Sequence, residues 1–191
     1  MAKLYKPTPP ASFLERIALI LRKEYMAEEQ GRIVEKNTDT DGSEFVMARE
    51  FRQCDDCKYL LYRFDMRPGE PLFPFPYFSL KDADDNGLGV AKSCDYVMFA
   101  ERGGEAYIIL IELKLGKNDP KPQLDQMRFF VEFIQKRAAR AGIDINAKVR
   151  MLGVSDVVMK MSTKMGNKVI YENDFAQLYD GTFIRLSELV K

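Results

Sequence analysis

Hydrophobic and polar positions change their spacing several times along this chain, and each change marks a new element. From Ser12 to Glu29 the apolar residues Leu14, Ile17, Ala18, Leu21 and Tyr25 recur every three or four positions, which predicts a helix with one buried stripe. Ser12 followed by Glu15 supplies a capping box at its start. Residues 35–44, EKNTDTDGSE, read as a polar loop. The runs FVMAREF and YLLYRF within 45–65 fit strands or short helical pieces equally well. Pro68, Pro71, Pro74 and Pro76 exclude a long regular element in PGEPLFPFPYF, and 77–81 predicts a short strand before the turn DADDNG. Tyr96–Ala100 and Ala106–Ile111 are apolar runs around Gly103 and Gly104, the pattern of a β-hairpin with a longer loop.

Beyond the hairpin, Leu124, Met127, Val131, Ile134 and Ala138 predict a helix over 122–141, with Pro120 or Pro122 in its first turn and Gly142 as its stop. AKVRMLGVS reads as a strand, KMSTKMGNK as a basic loop, KVIYEN as a further strand and FIRLSELVK as a short C-terminal element. YIILI is apolar on both faces and belongs to a central sheet covered by helices. The expectation is one α/β domain over 1–191, with residues 1–10 (Pro7, Pro9, Pro10) as a tail.

Composition narrows the chemistry. The 29 Lys+Arg balance 29 Asp+Glu, so any nucleic-acid contact must come from a local patch rather than bulk charge. No apolar run approaches the roughly 20 residues that span a bilayer, and MAKLYKPTPPASFL lacks a signal-peptide pattern; the expectation is a cytoplasmic protein without a membrane partner. The chain has no histidine, which removes Ser-His-Asp and Cys-His nucleophilic sites and His-based zinc hydrolases. Carboxylates, lysine and a bound cation remain. The odd set Cys54, Cys57 and Cys94 argues against a secreted disulfide framework, and C-x-x-C is half a zinc site without its other half. Reduced, partly buried thiols are expected. Asn37-x-Asp39-x-Asp41-Gly42 and Asp82-x-Asp84-x-Asn86-Gly87 open like calcium loops, but Ala48 and Ser93 stand where the bidentate glutamate belongs, so both read as polar turns.

The hairpin carries the most informative charges. Asp95 opens its first strand and Glu112-Leu113-Lys114 closes its second. Glu112 and Lys114 share one strand face, where burial without partners would be costly. Two converging carboxylates suit Mg²⁺, and Lys114 suits the orientation of a water or the stabilisation of phosphate charge. The bland alternative is a strand-end ion pair with Asp95 as a turn cap.

Acid-led strand, apolar strand ending in acid-x-Lys, and amphipathic helix together resemble the PD-(D/E)xK nuclease superfamily, over about 77–155. The resemblance implies a restriction-endonuclease-like core, a central mixed sheet flanked by helices. It implies Asp95 and Glu112 as ligands of Mg²⁺ (Mn²⁺ possible), Lys114 as the catalytic lysine, and Gln123 in the helix's first turn as a positioning residue, with Gln126 as fallback. Cys94 stands where many members have proline, and Glu15 and Glu24 are candidates for the extra glutamate that many members supply from the first helix. Members cut DNA, less often RNA, in restriction, repair, mobile-element and defence settings, and many dimerise; a homodimer or a partner protein is therefore possible. Lys117, Lys121, Lys160, Lys164 and Lys168 fit phosphate contacts or an ordinary solvated surface. Phe73–Phe78 fits a cleft wall or core packing. Two rival readings stand beside the nuclease: a binding or regulatory subunit on the same fold with weak or no catalysis, and an unrelated α/β interaction protein in which the motif is accidental.

Overall fold

The most apolar stretch of the chain becomes its central strand. In the computed structural model, which describes residues 12–38, 42–52, 54–64, 93–116, 118–156, 168–179 and 182–191, Tyr107 to Leu113 are buried on both faces. They belong to β5 (Glu105–Lys114), paired antiparallel with β4 (Tyr96–Arg102). Gly103 and Gly104 make the two-residue turn between them at φ 58° and 83°, the positive values that a type I′ hairpin requires. The loop is therefore shorter than the apolar runs suggested, because Glu101, Arg102 and Glu105 continue the ladder.

The remaining elements are α1 (Phe13–Ile20), a 3-10 turn (Lys23–Tyr25), β1 (Arg32–Thr38), β2 (Glu44–Arg52), β3 (Cys57–Arg63), α2 (Lys121–Arg140), β6 (Lys148–Ser155), β7 (Phe175–Tyr179), β8 (Phe183–Arg185) and α3 (Leu186–Leu189). They form two sheets, β3-β4-β5-β6-β7 and β1-β2-β8. In the larger sheet β3, β4 and β5 are antiparallel, while β5, β6 and β7 are parallel. A parallel pair needs a long crossover, and α2 supplies it between β5 and β6, packing back on both.

The alternation along β5 divides the core. Tyr107, Ile109, Ile111 and Leu113 join Ile33, Met47, Phe51 and Ile184 of the smaller sheet. Ile108 and Leu110 join Phe13, Ile17, Leu124, Met127 and Val131 of the helices. The result is three layers: α1 with α2, the larger sheet, and the smaller sheet, on whose side α3 also packs. The chain is mixed α/β, and among the described residues no helix is long and apolar enough to cross a membrane.

Several expectations are corrected. The first helix ends at Ile20 instead of continuing to residue 29, because Met26 bridges Tyr62 and the Ala27 amide donates to Leu61 O at 2.9 Å. Tertiary pairing with β3 overrides the helical spacing there. Glu35–Thr38 lie in β1 rather than in a loop. KVIYEN is not a strand: Glu172 and Phe175 close a tight turn over Asn173 and Asp174, both at positive φ, and β7 begins only after it. The ambiguous 45–65 stretch resolves into β2 and β3. The strand expected over 77–81, the Pro-aromatic segment, the second calcium-like loop, and Lys117, Lys160 and Lys164 lie outside the described residues.

Candidate functional site

Asp95 and Glu112 clasp each other at one end of the β4–β5 ladder. Tyr96 pairs with Ile111, so the next rung brings the two acids together. The Asp95 amide donates to Glu112 Oε2 at 3.2 Å, and the Leu113 amide donates to Asp95 Oδ2 at 2.7 Å. Lys114 Nζ stands 2.7 Å from Glu112 Oε1. Glu112 is 3 % exposed, and Asp95 is partly buried. Three of the four residues expected at the site therefore meet, with both Glu112 oxygens engaged.

Their electrostatics are unbalanced. Burial pushes the Asp95 carboxyl well above its ordinary range, the Glu112 charge adds to the rise, and the Leu113 amide opposes it. Burial pushes Glu112 up to about 7, even though the Lys114 ammonium and the Asp95 amide favour its ionised form. Glu35 raises both carboxyls further. Buried Cys94, one residue before Asp95, has its thiol pushed up by burial and then by the two acids, which leaves it an inert core residue rather than a thiolate.

Glu35 was missed in the sequence, where it begins the segment read as a loop. Its position follows from Tyr96, whose hydroxyl donates to Val34 O at 3.0 Å and accepts from the Val34 amide at 3.1 Å. That double bond fastens β1 beside the start of β4. A cleft of about 910 Å³ opens here, lined among others by Glu35, Asp95, Tyr96, Arg32, Lys36 and Arg63. The signal available in the sequence was that Glu35 shares the strand face of buried Ile33. Glu35 acts on the pair through its charge: the oxygens of Glu35, Asp95 and Glu112 do not all lie within 4.8 Å of one another.

The opposite flank is built by Gly153. It pairs with Glu112 on one side and Gln177 on the other. A Cβ on Gly153 would fall 2.5 Å from Pro120 Cγ and against Gln177 Oε1. The start of α2 therefore lies over the row of the sheet that carries Glu112. Gln123, third residue of α2, is half-buried there and makes no hydrogen bond to Asp95, Glu112 or Lys114; Gln126 is half-buried one turn on. Gln177, across Gly153 from Glu112, is a second glutamine that sequence patterning did not single out.

Neither upstream glutamate joins the site. Glu15 closes the capping box of α1 with Ser12, and Glu24 pairs with Arg22 at the exposed 3-10 turn. Cys54 and Cys57 are joined as a disulfide rather than standing as reduced thiols, because the β2–β3 turn brings their Cα atoms to 5.4 Å, inside the bridging range.

The residues fit a hard divalent cation. Two carboxyls converge with one ammonium against Glu112, and burial leaves their repulsion largely unscreened. Comparison of the chain with family models, curated proteins and solved structures finds no match.

Proposed function

We propose that this chain is a metal-dependent phosphodiesterase that cuts nucleic acid, DNA in preference to RNA, on a restriction-endonuclease-like core of β4, β5, α2 and β6. The observation that carries the reading is the clasp of Asp95 and Glu112, closed by Lys114 at 2.7 Å, with Asp95 on the wall of an open cleft. A structural ion pair needs one acid and one base. Here burial and neighbouring acids push two carboxyls upward, an arrangement that a bound cation relieves.

Asp95 and Glu112 would hold Mg²⁺ or Mn²⁺, which needs only one or two carboxylates besides water and phosphate oxygens. When bound, the cation supplies a more acidic water and neutralises phosphate charge. Lys114 places its side-chain nitrogen beside Glu112, where it would stabilise negative charge that develops as the phosphodiester is attacked. Arg32, Lys36 and Arg63 stand on the cleft wall among Glu28, Glu29 and Glu35, so the cleft offers individual basic side chains for phosphate contacts beside acids suited to a cation. Gln177, across Gly153 from Glu112, and Gln123, in the first turn of α2, have amides suited to positioning substrate.

The test is cleavage of labelled single- and double-stranded DNA and RNA with Mg²⁺, Mn²⁺ or EDTA, comparing wild type with Glu112→Ala and Lys114→Ala. Metal-dependent cutting that both variants lose is the expected result. Absence of cutting by wild type on every substrate would sink the catalytic reading and favour a regulatory subunit on the same fold.

A further inference from the structure

The turn joining β2 to β3 takes no part in the site above. Cys54 and Cys57 are half-buried against the core between the sheets, and the Cys57 amide donates to Cys54 O at 3.1 Å. Asp56 lies between them in sequence. Its Oδ1 is 3.8 Å from Cys57 Sγ and its Oδ2 is 3.0 Å from Arg102 Nε. Among the described residues, Cys54, Asp56 and Cys57 form the one group of three acidic or thiol side chains whose ligand atoms all lie within 4.8 Å of one another.

We infer that this turn is a redox-gated site for a soft divalent cation of the zinc type. Oxidised, it is closed as the disulfide. A dithiol reductant opens it by giving two electrons and two protons to the sulfurs and becoming a disulfide itself. Each thiol then releases its proton to solvent as Cys54 Sγ, Cys57 Sγ and an Asp56 oxygen bind the cation. Two thiolates and a carboxylate are zinc donors, whereas Mg²⁺ avoids sulfur, so this site and the Asp95–Glu112 pair select different metals.

The geometry permits both states. Two sulfurs of a tetrahedral zinc site stand about 3.8 Å apart, a span that side-chain rotation reaches while the backbone stays in this turn. Arg102 orients the carboxylate from behind, as outer partners of metal ligands do. It also donates to Ser187 O at 2.9 Å and Val190 O at 3.3 Å, which ties the turn to the C-terminal α3. Three protein donors leave one coordination position for water.

The experiment titrates reduced full-length protein with Co²⁺ and follows the sulfur-to-cobalt charge-transfer band. One equivalent should develop the band, and Zn²⁺ should bleach it. The oxidised protein and the Cys54→Ser/Cys57→Ser variant should lack it. Asp56→Asn keeps both sulfurs, so it tests the site even if the double variant misfolds; its affinity should fall at least about tenfold. Asp95→Ala should leave the band intact, which separates this site from the carboxylate pair. No band in reduced wild type, or unchanged affinity in Asp56→Asn, would overturn the inference.

Discussion

The Tyr96 hydroxyl stands 3.0 Å from the Val34 carbonyl oxygen and 3.1 Å from the Val34 amide nitrogen, satisfying both backbone groups of one residue on an edge strand. An open edge exposes such groups to water or to another strand. Tyr96 follows Asp95 directly, so the same two bonds tie β1, which carries Glu35, to the start of β4. Tyr96→Phe removes both bonds and should cost about 1–3 kcal/mol, read by urea denaturation. It should also weaken the stabilisation by Mg²⁺, because β1 is no longer fastened beside the pair. Unchanged stability together with an unchanged Mg²⁺ response would show that the link does not organise the site.

Glu35 raises both site carboxyls through its charge. Glu35→Gln should therefore act in two directions. At low pH it eases ionisation of Asp95 and Glu112, so metal binding begins at a lower pH. At high pH, with Glu112 already ionised, it removes a negative charge that attracts the cation, and affinity should fall by about tenfold or less, the equivalent of roughly 1 kcal/mol. Calorimetric Mn²⁺ titrations on both sides of neutrality read the two effects. An acid limb that does not move would disconnect Glu35 from the pair.

Metal-free stability should depend on pH with a defined sign. Glu112 rises from an ordinary 4.5 to about 7 in the folded chain, and Asp95 rises as well. Between those two values of Glu112 the unfolded chain has released a proton that the folded protein still holds. The contribution of Glu112 is then fully present below the lower value, is lost as pH climbs through the window, and stays lost above the upper one. The loss from Glu112 is at most a few kcal/mol. Thermal melts in EDTA should show this fall, Glu112→Gln should flatten it, and Mg²⁺ should reverse it increasingly over the same window, since binding requires the ionised carboxyls. A melting temperature that rises across the window in wild type would contradict the burial of this pair.

The hairpin and α2 were legible because their patterns are local. An unbroken apolar run, two glycines and a helical stripe each report a structure made within a few residues. The Asp95, Glu112 and Lys114 cluster was legible for the same reason: one hairpin register brings all three together. The smaller sheet was not. β1 carries polar residues on its outer face, and β8 is three residues long and meets β2 across most of the chain. Glu35 depends on that non-local pairing, and so stayed hidden. Gln177 depends on a parallel strand reached after two crossovers. The end of α1 failed in the opposite way: Leu21 and Tyr25 keep helical spacing, but the backbone near Ala27 gains more from its bond to β3.

Gly153 offers the sharpest packing test, because Pro120 and Gln177 fill the place of its missing side chain. Gly153→Ala must displace the end of a flexible glutamine and also the ring of Pro120, which cannot turn aside without moving the start of α2. The expected cost is about 1–3 kcal/mol, the range for overpacked sites, read by chemical denaturation. Gly31 is the matched control: nothing lies within 4 Å of a Cβ placed there, so Gly31→Ala should be near neutral. Displacing α2 shifts Gln123, whereas Asp95, Glu112 and Lys114 remain on the β4–β5 hairpin. Mn²⁺ affinity in Gly153→Ala should therefore hold while turnover falls. Loss of metal binding instead would mean that the carboxyl pair itself depends on α2, and that the hairpin alone does not shape the site.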